Sequence, residues 1–348
     1  MSRILITLAV VSGLFLGCTK KPAAAPEEHE VNLSIWGNYL SPEMKAKFEK
    51  ESGIKINISN YSSNEELLAK VQMGSSGIDV AVPSDYMVEI MAKMGLLEPL
   101  KNDEIPNKAG VSEQFLKQSF DPENKFSLPY TWTSTGIAYN KELYKGEMKS
   151  WKDLLENKDL KGKFALLDDV RETTGAALKM TGASVNSTKA VEVQKAKDVL
   201  LTAKKNVKMF TSDTIDILKN KEVVAAQAYS SDALQAAAQA PGKIAYVLPT
   251  EGGTYAIDNL VVLKGAHHPA AAHKLINFLL SKEAEIAKVK SIYGGPILKD
   301  IRKDLPKDIQ DNPVLFPETA AFQKLEHVRD LGAEGKMYED LWTEVKTK

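Results

Sequence analysis

The sequence has little that would support catalysis. Its only cysteine, Cys18, cannot form a disulfide within one chain, and it lies in a segment that we expect outside the folded body, which then has no thiol nucleophile. The G-x-S-x-G, H-E-x-x-H, P-loop and G-x-G-x-x-G motifs are missing, which removes the sequence support for a serine hydrolase, a zinc protease or a nucleotide-binding enzyme. The formal net charge of −1 gives no electrostatic case for nucleic-acid binding. We therefore expect a protein that is not an enzyme, with no cofactor, no metal and no nucleic-acid partner.

Two adjacent histidines, His267 and His268, are the one feature that could hold a metal ion. They precede a proline in a predicted turn, and no third ligand follows at the spacing of a metal site. An exposed loop is therefore the favoured interpretation.

The only long apolar run, residues 4–16, is too short to span a bilayer comfortably and follows a basic residue, which is typical of a signal peptide. It ends in the sequence LFLGC at residues 14–18, which resembles the lipobox of bacterial lipoproteins. That resemblance implies that residues 1–18 are a signal peptide ending at Cys18, the lipid anchor. Residues 19–30, rich in Lys, Pro, Ala and Glu, are then a flexible tether. A plain secretory signal with an incidental cysteine is the alternative.

The length of 348 residues favours about two domains. From residue 31 to residue 94, strand-like and helix-like patterns alternate three times, which predicts a parallel sheet with helices on both faces. A second α/β set follows between residues 151 and 248.

Two extended runs, residues 127–140 and 251–262, are rich in β-forming residues and separate these sets. We read them as crossovers between two lobes, which predicts an α/β fold with two crossover strands and a central ligand cleft that closes by hinge motion. The predicted lobe 1 comprises residues 31–133 plus 258–300. Lobe 2 comprises residues 134–257 plus 301–348.

An acidic pair marks the start of a predicted helix in the second set. Asp169 and Glu172 follow a strand-like run and are three residues apart, so both can point the same way from the first helical turn. Open α/β folds bind ligands at such strand ends, but Asp-x-x-Glu also resembles a capping box. The pattern alone leaves both roles open.

Aromatic, hydroxyl and acidic residues lie at several other strand ends. Aromatic faces attract cations and carboxylates pair with ammonium groups, so a cleft lined in this way suits an aliphatic amine. Each residue alone is more often a core or capping residue, and it is their shared placement at strand ends that favours a ligand-binding role. The residues in question are Trp36, Tyr39, Ser84, Tyr86, Tyr229 and Asp258.

Five sequence blocks resemble the spermidine/putrescine-binding proteins of bacterial ABC transporters. They are SIWGNY at 34–39, VPSDY at 82–86, LPYTW at 128–132, LDDVRE at 167–172 and GGTYAID at 252–258. The likeness continues in order to the C-terminus. It implies a type II periplasmic-binding-protein fold, a ligand in the cleft and delivery to a membrane permease.

The resemblance also implies roles for individual residues. Trp36 and Tyr39 match aromatic residues that flank the polyamine, and Ser84 and Tyr86 match a hydroxyl and a ring near one amine. The matching carboxylates are Asp169 and Glu172 at one ammonium group and Asp258 at another.

Several positions depart from the family pattern. Gly37 replaces a threonine or serine, and Tyr229 replaces a tryptophan but keeps an aromatic face. A stacking tryptophan, a pocket tyrosine and a glutamine are replaced by Ala256, Gly294 and Val328. We expect either that Tyr255 or Trp132 compensates or that the pocket is wider.

Together these features predict a monomeric, lipid-anchored binding protein in the periplasm or cell envelope. It would capture a polyamine for the permease of an ABC importer. The alternatives are a binding protein for another small cationic ligand or a ferric ion, and a ligand-sensor domain of the cell envelope.

Overall fold

The computed structural model describes residues 28–37, 39–74 and 76–347, so the predicted lipobox and Cys18 lie outside the described residues. No helix in the described part is long and apolar enough to cross a membrane. The first described residue already contacts the folded body, because the Glu28 carboxylate accepts a hydrogen bond from the backbone N–H of Ala271 at 2.6 Å.

The described strands belong to one eleven-stranded sheet. They are β1 (Glu30–Trp36), β2 (Lys55–Tyr61), β3 (Val80–Ala81), β4 (Leu97–Glu98), β5 (Ser127–Asn140), β6 (Phe164–Leu166), β7 (Met209–Phe210), β8 (Ala225–Tyr229), β9 (Ile244–Val247), β10 (Thr254–Leu263) and β11 (Glu326–His327).

The α-helices lie between these strands and after the last of them. They are α1 (Pro42–Ser52), α2 (Asn64–Gln72), α3 (Asp85–Lys93), α4 (Trp151–Leu155), α5 (Val170–Met180), α6 (Ala190–Lys204), α7 (Thr214–Lys219), α8 (Ser230–Gln239), α9 (Pro269–Leu279), α10 (Lys282–Ile292), α11 (Lys307–Gln310), α12 (Thr319–Phe322) and α13 (Lys336–Thr347).

The sheet consists of two parallel sets joined by two antiparallel crossovers. Its order is β2-β1-β3-β10-β5-β8-β6-β7, with β4 and β11 beside β10 and β9 beside β5. β1 runs parallel to β2 and β3, and β6 runs parallel to β7 and β8. β10 is antiparallel to β3 and β5, and β5 is antiparallel to β8. The predicted parallel set and both predicted crossovers are therefore confirmed.

The crossover β5 belongs to both halves of the sheet. Its first residues pair with β10, whereas residues 135–139 pair with β8. All of its residues are buried, which explains why its sequence contains no charged residue. In β10 the register shifts between Asp258 and Asn259, so a bulge lies at the aspartate that interrupts this otherwise apolar strand.

Hydrophobic clusters form on both sides of these crossovers. One is built around Leu33, Ile56 and Leu128, and another around Trp151 and Phe164. The C-terminal helix α13 packs on the second cluster with its apolar face. Fully burying side chains of this size stabilises a fold by roughly 1.5–3 kcal/mol each.

A buried ion pair fixes helix α10 against the crossover β5. The Lys288 ammonium lies 2.5 Å from the Glu285 carboxylate and donates to the backbone carbonyl of Tyr130. The other Glu285 oxygen accepts the N–H of Ile297 at 2.6 Å. Burial lowers the pKa of Lys288, because removal from water disfavours the charged form.

Gly295 approaches the same crossover from the segment after α10. Its N–H donates to the carbonyl of Trp132 at 2.7 Å, and a Cβ atom at position 295 would overlap the Trp132 ring. Glycine is therefore required by close packing at this position.

Candidate ligand-binding site

The nine ligand-binding residues predicted from the sequence lie around one cavity. Its volume of about 850 Å³ is in the range of small-molecule sites. The nine are Trp36, Gly37, Tyr39, Ser84, Tyr86, Asp169, Glu172, Tyr229 and Asp258.

Their convergence follows from the topology of the sheet. Parallel strands present their carboxyl ends at the same edge, and the chain turns into loops and helices there. Trp36 and Tyr229 end β1 and β8, Ser84 precedes α3, and Asp169 precedes α5. The bulge in β10 adds Asp258 from the crossover.

Asp258 is held by two hydroxyl groups. Ser84 Oγ donates to Asp258 Oδ1 at 2.7 Å, and the Tyr39 hydroxyl donates to Oδ2 at 2.8 Å. The side chain is buried, and burial raises the pKa of Asp258 to about 6, although the two hydrogen bonds act in the opposite direction. The fold thus holds this acid in place for a partner that favours its charged form.

Asn64, the first residue of α2, supports this arrangement from behind. Its amide group donates to Ser84 Oγ and to the Tyr86 hydroxyl, both at 3.1 Å, and its carbonyl oxygen accepts the Ser84 N–H. The Tyr86 hydroxyl donates to Glu65 Oε1 at 3.0 Å. Sequence reasoning missed Asn64, because a polar residue after Ser63 looks like part of a helix cap.

Asp169 has the capping role and also reaches the cavity. Helix α5 begins at Val170, and Asp169 Oδ1 caps it by accepting the N–H groups of Arg171 and Glu172 at 2.8 and 3.0 Å. Its second oxygen, Oδ2, lies 3.5 Å from the Tyr229 hydroxyl. The two interpretations of this acid are therefore compatible.

Glu172 does not complete a capping box. Its carboxylate instead accepts a hydrogen bond from the hydroxyl of Thr254 on β10. Burial raises the pKa of both Glu172 and Asp169, and the negative charge of Asp169 raises that of Glu172 further. Two neighbouring buried acids favour any ligand that brings positive charge.

The one basic residue in the described lining of the cavity, Arg171, is committed elsewhere. Its guanidinium donates to the Arg329 carbonyl at 2.8 Å and to Asn186 Oδ1 at 2.9 Å, and it lies over the Tyr338 ring. It therefore holds the segment around residue 329 and forms no ion pair with the described acids, although its positive charge acts to lower the pKa of Asp169 and Glu172.

Asp232, in the first turn of α8, is a further acid that sequence reasoning missed. It lines the cavity, and burial raises its pKa to about 6. Its only visible sequence signal is its place three residues after Tyr229, which is equally typical of a helix N-terminus. Among the described residues, five carboxylates at the cavity form no ion pair: Glu65, Asp169, Glu172, Asp232 and Asp258.

Aromatic rings form one wall of the cavity. The Trp36 indole donates to the Val82 carbonyl at 2.9 Å, and its ring lies 4.7 Å from that of Tyr61 and 6.5 Å from that of Tyr39. These fixed rings provide π faces beside the acids, an arrangement that attracts cations.

Two of the departures from the family pattern lie in the lining of the cavity. Ala256 and Val328 both line the cavity. Of the two alternatives, compensation by Tyr255 or Trp132 is wrong, because neither residue lines the cavity. Tyr255 packs on the ring of His327 at 3.7 Å, and Trp132 donates its indole N–H to the Pro296 carbonyl inside the first core.

The position of the missing pocket tyrosine is also explained. Tyr293 ends helix α10 in the left-handed conformation and packs with Val289 and Leu234 away from the cavity. A Cβ at Gly294 would overlap the Thr131 hydroxyl. Close packing against β5 therefore leaves no room for a side chain at position 294.

The described residues offer no metal centre. No group of three or more His, Cys, Asp or Glu side chains is arranged to hold an ion among residues 28–37, 39–74 and 76–347. His268, one of the two adjacent histidines, binds the Asp79 carboxylate through Nδ1 at 2.9 Å.

The comparisons with known proteins agree with this geometry. A family model of bacterial extracellular solute-binding proteins matches residues 43–317. The chain is 32% identical to spermidine/putrescine-binding periplasmic protein 1 of Haemophilus influenzae, over 98% of both proteins.

Solved structures give the same result. A spermidine/putrescine ABC transporter protein from Listeria monocytogenes is 33% identical, with a TM-score of 0.85 over 92% of this chain and 99% of that chain. A lipoprotein of Treponema pallidum is 26% identical, with a TM-score of 0.83 over 91% of this chain and 99% of that chain. The predicted two-lobe, type II periplasmic-binding-protein fold is thereby confirmed. The chain belongs to the bacterial extracellular solute-binding proteins, in the group that contains the spermidine/putrescine-binding proteins.

Proposed function

We propose that this protein binds a polyamine in its cleft and delivers it to the permease of an ABC importer. The observation that carries the proposal is the group of five carboxylates that have no ion-pair partner in the described part of the chain and lie beside a wall of aromatic rings. The printed name of the Haemophilus influenzae relative, a spermidine/putrescine-binding protein, supports the same ligand class.

The acids bind two different ammonium groups of the ligand. Asp258, oriented by Ser84 and Tyr39, binds one ammonium group. Asp169 and Glu172 bind another, near the Tyr229 hydroxyl. Methylene groups of the ligand then lie against the aromatic faces, which are those of Trp36, Tyr39, Tyr86 and Tyr229.

The raised pKa values give binding an electrostatic driving force. Burying a carboxylate without a partner favours its neutral form, whereas an ammonium group within hydrogen-bond distance favours the charged form. Polyamine binding therefore expels protons from acids such as Asp258 and Asp232, whose pKa values are about 6. Affinity should accordingly rise as the pH rises through this range.

Closure of the cleft proceeds by rotation of two lobes about the crossovers β5 and β10. The first lobe comprises residues 31–133 plus 258–300, and the second comprises residues 134–257 plus 301–348. Packing of α13 on the core around Trp151 supports the assignment of that helix to the second lobe.

A lipid on Cys18 and a tether that follows it hold the protein at the cell envelope as a monomer. The tether ends before Glu28 and not at residue 30, because Glu28 bonds to Ala271 and β1 begins at Glu30. The Treponema pallidum relative, which is named as a lipoprotein, supports the anchor.

Ferric iron is a poorer fit to the cleft than a polyamine. An iron site of this kind needs tyrosine oxygens as anionic ligands. Burial and neighbouring carboxylates instead raise the pKa of Tyr39, Tyr86 and Tyr229, which keeps them as neutral phenols.

A thermal-shift panel tests the proposed function. The panel contains putrescine, cadaverine, spermidine, spermine, agmatine, basic amino acids and ferric citrate. A ligand present at a hundred times its dissociation constant adds about 2.7 kcal/mol of stability. Stabilisation by at least one polyamine, and not by the basic amino acids or iron, is the expected result; a panel in which no polyamine stabilises the protein contradicts it.

A further inference from the structure

The edge of the sheet opposite the cavity, in the half built from β6 to β9, is rich in lysine. We call this surface the lysine pole. It comprises five segments at the ends of strands. Residues 141–145 follow β5, and residues 158–163, 205–208, 219–222 and 240–243 precede β6, β7, β8 and β9, respectively. These segments contain ten lysines and only three acids, a net charge of +7 in a chain whose formal net charge is −1.

The five segments form one continuous surface. Hydrogen bonds connect neighbouring segments directly: Lys141 N–H to the Lys243 carbonyl at 2.7 Å, Gly162 N–H to the Asn206 carbonyl at 2.7 Å, and Lys208 Nζ to the Glu222 carbonyl at 2.5 Å. Nine of the ten lysines are exposed, and Lys219 is half-buried. The charge is therefore presented to solvent.

The three acids neutralise little of this charge. Glu142 pairs with Lys221 at 2.7 Å and Lys243 at 3.5 Å. No ion pair is observed among the described residues for Lys158, Lys161 and Lys205.

The equivalent edge of the other half of the sheet is not basic. There the segments beside β1, β2, β3 and the end of β10, which are residues 28–30, 52–55, 76–79 and 264–268, contain two lysines and three acids. The same topological position thus carries a net charge of −1 when histidine is neutral. The excess of lysine is therefore specific to the lysine pole and is not shared by the corresponding loops of the other half of the sheet.

The composition of the pole indicates the kind of partner that it fits. Its segments contain no arginine and no tryptophan, the side chains that bind individual phosphates or nucleic-acid bases with defined geometry. None of its lysines lines the cavity of the ligand site or the groove between α1 and α10. Lysine ammonium groups spread over a surface match a plane of negative charge.

We propose that the lysine pole docks on a membrane surface of anionic lipid headgroups. Because the pole and the cavity are at opposite edges of the sheet, this docking leaves the cleft facing away from the bilayer. The anchor expected at Cys18 would keep the pole within reach of such a surface. The proposal does not depend on which ligand the cleft binds.

Vesicle binding tests the proposal with the chain from Thr19 onward, which contains every described element. The two surfaces are vesicles of pure phosphatidylcholine and vesicles in which about one third of the lipid is phosphatidylglycerol. A lysine near an anionic surface contributes about fivefold to partitioning. The pole variant carries Lys145→Gln, Lys158→Gln, Lys161→Gln and Lys205→Gln.

A matched control variant loses the same charge from lobe 1, through Lys50→Gln, Lys55→Gln, Lys264→Gln and Lys274→Gln. Wild type and the control should bind the anionic vesicles but not the neutral ones, and the pole variant should bind at least tenfold more weakly. Polyamine binding in solution should be the same in all three proteins, which separates this test from that of the cleft.

Three results would overturn the proposal. The first is the absence of wild-type binding to the anionic vesicles. The second is an equal loss in the pole and control variants, which would show that only net charge matters. The third is complete competition by millimolar glycerol phosphate, which would identify a site for a single phosphate group instead of a surface.

Discussion

Replacing Asp258 by asparagine should affect stability and ligand binding in opposite directions. The pKa of Asp258 is about 6 in the folded protein against an ordinary value of 3.8. The folded protein therefore binds a proton that the unfolded chain has already lost, and stability falls as the pH rises from about 4 to about 6. A shift of this size corresponds to about 3 kcal/mol at neutral pH.

Asparagine removes that ionisation but cannot accept hydrogen bonds at two oxygens. The weakened bond to Ser84 or Tyr39 costs about 1 kcal/mol. Without ligand, Asp258→Asn should raise the free energy of unfolding by about 2 kcal/mol near pH 7.5 and lower it by about 1 kcal/mol near pH 4. Urea unfolding at both pH values measures the change.

The same substitution should nearly abolish polyamine binding. An ammonium group in the closed cleft would lose its counter-charge, at a cost of about 3–5 kcal/mol, which is more than a hundredfold in affinity. Asp300→Asn, at an exposed acid outside the cavity, is the control and should change neither quantity. The reasoning is refuted if Asp258→Asn destabilises the protein equally at both pH values and calorimetry gives wild-type affinity.

Three further substitutions test other parts of the account. Ala256→Trp should restore a stacking ring and raise spermidine affinity in calorimetry by about tenfold; a similar gain from the exposed Ala238→Trp would contradict this reason. Glu285→Gln should leave a buried ammonium unpaired and lower the free energy of unfolding by about 3–5 kcal/mol in urea, whereas Glu283→Gln at an exposed pair should change it by less than about 1 kcal/mol. Gly295→Ala should destabilise the protein by roughly 1–3 kcal/mol, because the added methyl overlaps a buried ring, and an unchanged melting curve would show that the segment can move aside.

Much of the fold could be predicted from local sequence signals. Ser41 and Pro42 mark the start of α1, and Ser41 Oγ caps the Met44 N–H as such a pattern implies. The long β-forming runs correctly identified both crossovers. Once the parallel order of the strands is assumed, the rule that their carboxyl ends share an edge brings the nine site residues together.

The errors in the site have physical causes. Successive residues of a strand face opposite sides, so Ala256 and Asp258 share a face that excludes Tyr255. The same alternation puts Thr133 at the cavity and turns Trp132 into the core. Because residues of a strand alternate between its two faces, both Tyr255 and Trp132 could have been excluded from the cavity on the sequence alone.

Other residues could not be found in this way. Asn64 and Asp232 belong to the first turns of helices, where polar side chains are common for capping reasons. Their roles depend on contacts with residues far away in the chain, such as Ser84 at a separation of 20 residues and Thr214 at 18. Local patterns carry no information about such contacts.

The most direct test of the central claim is a calorimetric titration of the wild-type protein with spermidine and putrescine near pH 6.5, where acids with pKa values of about 6 are partly protonated. Repeating it in two buffers of different ionisation enthalpy measures the protons released on binding. We expect saturable binding of one polyamine per chain with release of protons from the protein. Absence of saturable binding with both polyamines, or binding without proton release, would contradict it.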